Sequence, residues 1–170
     1  MITRYFMLFS TLILVSACAG NNKKNEVETD IGQIEDIDFD ADSVYSEGAE
    51  PIPGSQADLV VNVGDRIFFE TDSSSLTSSA RTTLENQATW LANYQSVGVA
   101  VEGHADERGT REYNLALGER RANTIRNYLV ALGVSPARIT TISFGKERPA
   151  VPGSNQSVWS QNRRGVTKVQ

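Results

Sequence analysis

Across residues 58–170 the apolar side chains change their period, and that switch limits the fold more than any other feature of the chain. Ala80, Leu84, Ala88 and Leu91 recur at helical spacings behind Thr77, a residue suited to cap a helix. Val97, Val99 and Val101 then occupy every second position, as a half-buried strand does. A second helical run follows. Asn114 is its expected cap, Ala122, Ile125, Leu129 and Leu132 its expected inner face, and Gly133 with Pro136 its stop. Arg66 to Glu70 reads as a strand ahead of the first helix, Ile139 to Phe144 as a third strand and Val166 to Val169 as the last. A Pro/Gly-rich connection and a short helical turn near Val158 and Trp159 lie between the last two. The order β-α-β-α-β-β predicts a small two-layer α/β sandwich of the α+β class.

The segment before it carries no such period. Residues 19–57 hold ten carboxylates against Lys23 and Lys24, with single hydrophobic residues scattered among Asn, Ser and Gly. Such a composition buries too little surface to offset the entropy of ordering, which predicts a disordered acidic tether. Extended, it would reach about 130 Å, and as a flexible coil about 35 Å. Residues 58–170 hold eleven acids and thirteen bases, a balance too even for a nucleic-acid surface.

Ahead of the tether, Arg4 precedes an apolar run from Tyr5 to Ala17. The run is shorter than the roughly 20 residues that span a bilayer and has the layout of a secretory signal peptide. Leu14-Val15-Ser16-Ala17-Cys18 resembles a bacterial lipobox, which implies cleavage after residue 17 and a diacylglyceryl group and an N-acyl chain on Cys18. Several acyl chains together hold a membrane durably where one does not. Ala19, rather than aspartate, follows the cysteine, and favours the outer membrane. The expected organisation is a leader over 1–17, a lipidated tether over 18–57 and a domain over 58–170. One cysteine and one histidine, His104, cannot assemble a Cys/His zinc site. Cys18 lies beside the leader, away from any catalytic partner, and His104 reads as a structural hydrogen-bonding residue.

Polar residues concentrate at one seam: Glu102-Gly103-His104-Ala105-Asp106-Glu107-Arg108-Gly109-Thr110-Arg111-Glu112-Tyr113-Asn114, then Leu117-Gly118-Glu119-Arg120-Arg121-Ala122. This run, with Phe69-Glu70-Thr71-Asp72 before it and Asn162-Arg163-Arg164 after it, resembles the outer-membrane protein A-like peptidoglycan-binding domains. Within them it is most similar to the peptidoglycan-associated lipoproteins of the Tol-Pal system. The resemblance spans roughly residues 62–168 and departs from the usual pattern at Glu70, Thr71 and Gly165.

The resemblance implies helices on one face of a mixed sheet and non-covalent binding of the diaminopimelate of the wall's stem peptide. Asp106 would take the ligand's ammonium and Arg121 its carboxylate, with Asn114, Phe69, Gly109, Thr110, Arg163 and Arg164 around them. The chemistry is consistent, since a zwitterion needs one carboxylate and one guanidinium, and a guanidinium meets a carboxylate with two parallel bonds. Taken alone, Asp106 also fits an Asx turn and Arg121 a solvated helix charge. The resemblance further implies TolB and TolA as partners, a domain facing the periplasm, and a part in envelope integrity and in drawing in the outer membrane at division. No cofactor and no catalysis are expected. Two rivals stand beside this reading: a module whose chief partner is TolB, and a wall hydrolase using Glu102 with Asp106 or Glu107.

Overall fold

The computed structural model describes residues 50–170. The leader, Cys18 and most of the expected tether lie outside the described residues. No described helix is long and apolar enough to cross a membrane.

The elements run α1 (Gln56–Asn62), β1 (Arg66–Phe68), α2 (Ser78–Asn93), β2 (Val99–His104), α3 (Arg111–Ala131), β3 (Ile139–Gly145), α4 (Gln156–Asn162) and β4 (Arg164–Val169), with a 3₁₀ turn over Pro136–Arg138. The four strands form one sheet in the order β1-β4-β2-β3. The β1/β4 and β4/β2 pairs are antiparallel and β2/β3 is parallel, so the sheet is mixed as expected. Side chains alternate across a strand. Val99 and Val101 therefore face α2 and α3 in the core with Leu84, Leu91, Ile125 and Leu129, while Ala100, Glu102 and His104 point to the other face. Each of these core side chains contributes about 1.5–3 kcal/mol through burial.

Local chemistry explains most boundaries. Thr77 accepts the Ala80 amide and starts α2, as its sequence predicts. Gly133, at φ +99°, ends α3 just beyond Leu132. Four expectations need correction. Asn114 does not cap α3; Thr110 does, accepting the Tyr113 amide, and Asn114 lies buried in the first turn. Leu132 sits at the frayed end of α3 and is exposed rather than on the inner face. The first strand stops at Phe68: the Phe69 amide still meets the Arg163 carbonyl, but the Phe69 and Glu70 carbonyls turn to the guanidinium groups of Arg163 and Arg121. Finally, Gln56 and Ala57 are not tether. Ser55 caps α1, and the Gln56 side chain accepts the Val169 amide and donates to the Thr167 carbonyl, extending the β4 ladder where β1 runs out.

Helix α3 meets the sheet through glycine. A β-carbon on Gly103 would fall 1.9 Å from the Gly118 carbonyl oxygen, and one on Gly118 would fall 2.4 Å from Ser143 Oγ. Backbone therefore touches backbone between β2 and α3. Gly165, the departure from the family pattern in the last strand, meets a side chain instead: a β-carbon there would lie 2.2 Å from Ile125 Cδ1, which would have to shift.

Candidate functional site

Strand β2 ends in a register shift against β3 between Gly103 and His104, which re-aims the chain as it leaves the sheet. The loop that follows is held at several points. The Arg108 amide donates to Asp106 Oδ1 at 3.1 Å, closing an Asx turn. Asn114 Nδ2 donates to the Arg108 carbonyl at 2.7 Å, and Lys146 Nζ to the Glu107 and Gly109 carbonyls at 3.2 and 2.8 Å. Gly109 takes φ +88°, open to glycine without strain, and Thr110 then starts α3. The loop is fixed before any ligand arrives.

Arg121 sits on the strict four-residue row Leu117, Arg121, Ile125, Leu129 and is fully buried, with 0% exposure. It is not a solvated charge. Its Nε donates to the Ser73 carbonyl at 2.8 Å, Nη1 to His104 at 2.7 Å and Nη2 to Glu70 at 3.1 Å, and the guanidinium lies over the Phe69 ring at 5.0 Å. Burial, followed by the nearby Arg163 charge, pulls its pKa down to about 10, so it stays charged at neutral pH. A guanidinium has five N–H donors, and the described residues take three of them, which leaves two without a partner among those residues.

Arg163 caps the end of α4 and is anchored on the Phe69 carbonyl at 3.0 Å, with Nη1 3.4 Å from Asp106 Oδ2. Arg108 grips Asp106 with two further bonds, Nε to Oδ1 at 3.0 Å and Nη2 to Oδ2 at 2.7 Å. Burial alone would raise the Asp106 pKa; the side-chain and backbone bonds from Arg108 and its charge outweigh burial and hold the carboxyl below the usual carboxylate range. Asp72, in the left-handed region at φ +53°, faces the same space and accepts the Tyr113 hydroxyl.

These residues surround a cleft of about 230 Å³. Asp106, Arg121, Asn114, Gly109 and Arg163 of the expected set line it. Phe69 lies beneath Arg121, and Thr110 acts as the cap of α3. Arg164 stands outside the cleft, donating to the Arg148 and Asn162 carbonyls. Glu102 also lies outside it, paired at 3.4 Å with His104 on the far face of the sheet. Sequence reasoning missed Asp72, Arg108 and Tyr113. A Thr-Asp-Ser turn is the one local hint of Asp72, and Arg108 two residues after Asp106 suits an Asx turn. Among the described residues no group of three or more His, Cys, Asp or Glu could hold a metal ion.

Compared with known families, residues 68–163 match the OmpA family. The chain belongs to the OmpA family. Among curated relatives of this OmpA-family chain, the peptidoglycan-associated lipoprotein of Rhizobium meliloti (strain 1021) is 62% identical over 115 residues, covering 68% of this chain and 65% of that protein. The match thus spans just under two thirds of that relative's length. The peptidoglycan-associated lipoprotein of Pseudomonas aeruginosa is 44% identical over 126 residues, 74% of each chain. The crystal structure of the peptidoglycan-associated lipoprotein from Burkholderia pseudomallei superposes with a TM-score of 0.61 at 38% identity, covering 62% of this chain and 90% of that one. The C-terminal domain of Helicobacter pylori MotB has a TM-score of 0.58 at 22% identity, covers 62% of this chain and 85% of that one, and shares the OmpA-family fold.

Proposed function

We propose that this chain is a lipoprotein, anchored in the outer membrane through Cys18, whose domain binds peptidoglycan without catalysing a reaction. The carrying observation is one small cleft in which Asp106 and Arg121, fixed from a loop and a helix, present opposite charges. A diaminopimelate end fits such a pair, its ammonium on Asp106 beside Asp72 and its carboxylate on the two spare N–H groups of Arg121 and on Arg163. The names of the relatives support the wall as the ligand. Asp106 held ionised cannot serve as a general acid, and Glu102 does not share its cleft, both of which weigh against a hydrolase. The resemblance to the Tol-Pal lipoproteins extends the reading to TolB and TolA as partners, TolB overlapping the wall site, and to envelope integrity and division.

The test is sedimentation of the chain with diaminopimelate-containing sacculi, comparing wild type, Asp106→Ala and Arg121→Ala, with the supernatant assayed for muropeptides. Retention of wild type alone with no release is the expected result. A wild type that stays in solution refutes wall binding, and released fragments refute the non-catalytic reading.

A further inference from the structure

Three guanidinium groups face the cleft, and they are held in different ways. Arg121 donates to three backbone carbonyls and Arg163 to one, so each is fastened to the fold independently of any carboxylate. The side-chain bonds of Arg108 go to Asp106 alone among the described residues. Its side chain is 39% exposed, against 5% for Arg163 and full burial for Arg121. While it grips Asp106 its guanidinium is also stacked on Trp159, with Cζ 4.2 Å over the ring, and that ring is fixed by Nε1 donating to Glu107 Oε1 at 3.0 Å. A cation over an indole face is favoured even near solvent.

We propose that Arg108 is an internal stand-in for the ligand's ammonium: it occupies the Asp106 carboxylate in the free protein and gives up those bonds when an ammonium-bearing ligand enters, held then by the Trp159 face it already covers. The inference rests on the diaminopimelate reading of the cleft. The exchange is neutral in charge, one cation leaving Asp106 as another arrives, so the carboxylate is never bare. A ligand carrying a carboxylate and no ammonium has nothing with which to displace Arg108. The residue thereby weakens binding of those ligands whose ammonium must take Asp106, and leaves ligands without a free amine unaffected. The arginine of this pair is 39% exposed although Asp106 is buried, so solvent screens its charge, the competition is modest and a ligand of ordinary affinity can win it.

The test is calorimetric titration of the full chain with a muropeptide ending in diaminopimelate, and with the same fragment acetylated on its free amine. The proteins compared are wild type, Arg108→Met, Arg108→Lys and Asp106→Asn. Arg108→Met keeps the stem against Trp159 and removes the competitor, and is expected to bind the free-amine fragment about fivefold more tightly. Affinity for the acetylated fragment stays unchanged. Arg108→Lys, which keeps the charge without the two-pronged grip, falls between, and supplies the comparison should Arg108→Met melt early. Equal or weaker binding of the free-amine fragment by these Arg108 variants, with wild-type binding abolished by Asp106→Asn, overturns the competition and leaves the diaminopimelate site standing. No binding by wild type, or binding insensitive to Asp106→Asn, overturns both.

Discussion

Acidification from pH 7 to pH 5 is expected to remove about 2 kcal/mol of folding stability through His104. The side chain is 1% exposed, stacked on Phe144 at 5.4 Å, and the sequence contains one histidine. Burial, with the charges of Arg164 and Arg148 adding to it, brings its pKa from 6.5 down to about 3, and Glu102 beside it does not reverse this. The folded chain therefore keeps a neutral imidazole throughout this range, while the unfolded chain takes up a proton below 6.5. A depressed histidine pKa means that this contribution is fully present above pH 6.5 and is lost as pH falls, with the loss levelling off near pH 3. The slope approaches about 1.4 kcal/mol per pH unit, and integrating from 7 to 5 gives about 2 kcal/mol. Urea denaturation of wild type and His104→Gln at pH 7, 6 and 5 isolates the effect, since the variant is expected to lose the steep part of the slope whatever its absolute stability. Parallel slopes would show that the folded chain protonates His104, with Glu102 stabilising the imidazolium, and would refute the argument from burial.

Two further outcomes follow from the packing. Gly118→Ala should destabilise the domain by about 2–3 kcal/mol, because its β-carbon would meet both Ser143 Oγ and the Gly103 carbonyl at 2.7 Å; a change in urea midpoint equivalent to under half a kcal/mol would contradict the close approach. Arg121→Lys should cost about 3 kcal/mol and abolish sedimentation with sacculi, since one ammonium cannot reach three carbonyls and at least one buried acceptor is left without a donor; retention of both properties would show that charge alone suffices.

Elements whose signals are local were legible in the sequence. Helix α2 was readable because Thr77 caps it and its apolar residues recur on one face, and β2 because its valines alternate. The start of α3 was not, because Thr110 and Asn114 are both good caps. The choice between them is made by tertiary bonds: Asn114 is used instead to hold the Arg108 carbonyl, and Gly109 turns the chain just ahead of Thr110. α1 escaped notice because its anchoring partners, Trp90 on Asp58 and β4 on Gln56, lie more than thirty residues away. At the site, Asp106 and Arg121 stood out through the motif, whereas the burial of Arg121 was not foreseen, because a lone arginine reads as a solvated helix charge until its position on the row of Leu117, Ile125 and Leu129 is weighed. Arg108 did not stand out, because its second partner, Trp159, comes from α4 at the far end of the sequence.

The glycine contact between β2 and α3 sets a common origin for the two charged residues. Asp106 follows Gly103 by three positions and Arg121 follows Gly118 by three, so both are measured from the point where the two backbones touch. Repulsion at that distance rises steeply, and the buried row of Ile125 and Leu129 resists separation, so the contact behaves as a hard stop in one direction and a latch in the other. The spacing of carboxylate and guanidinium is thus a tolerance of the main chain. Substitutions at the rim can change what is admitted to the cleft without changing the span it measures.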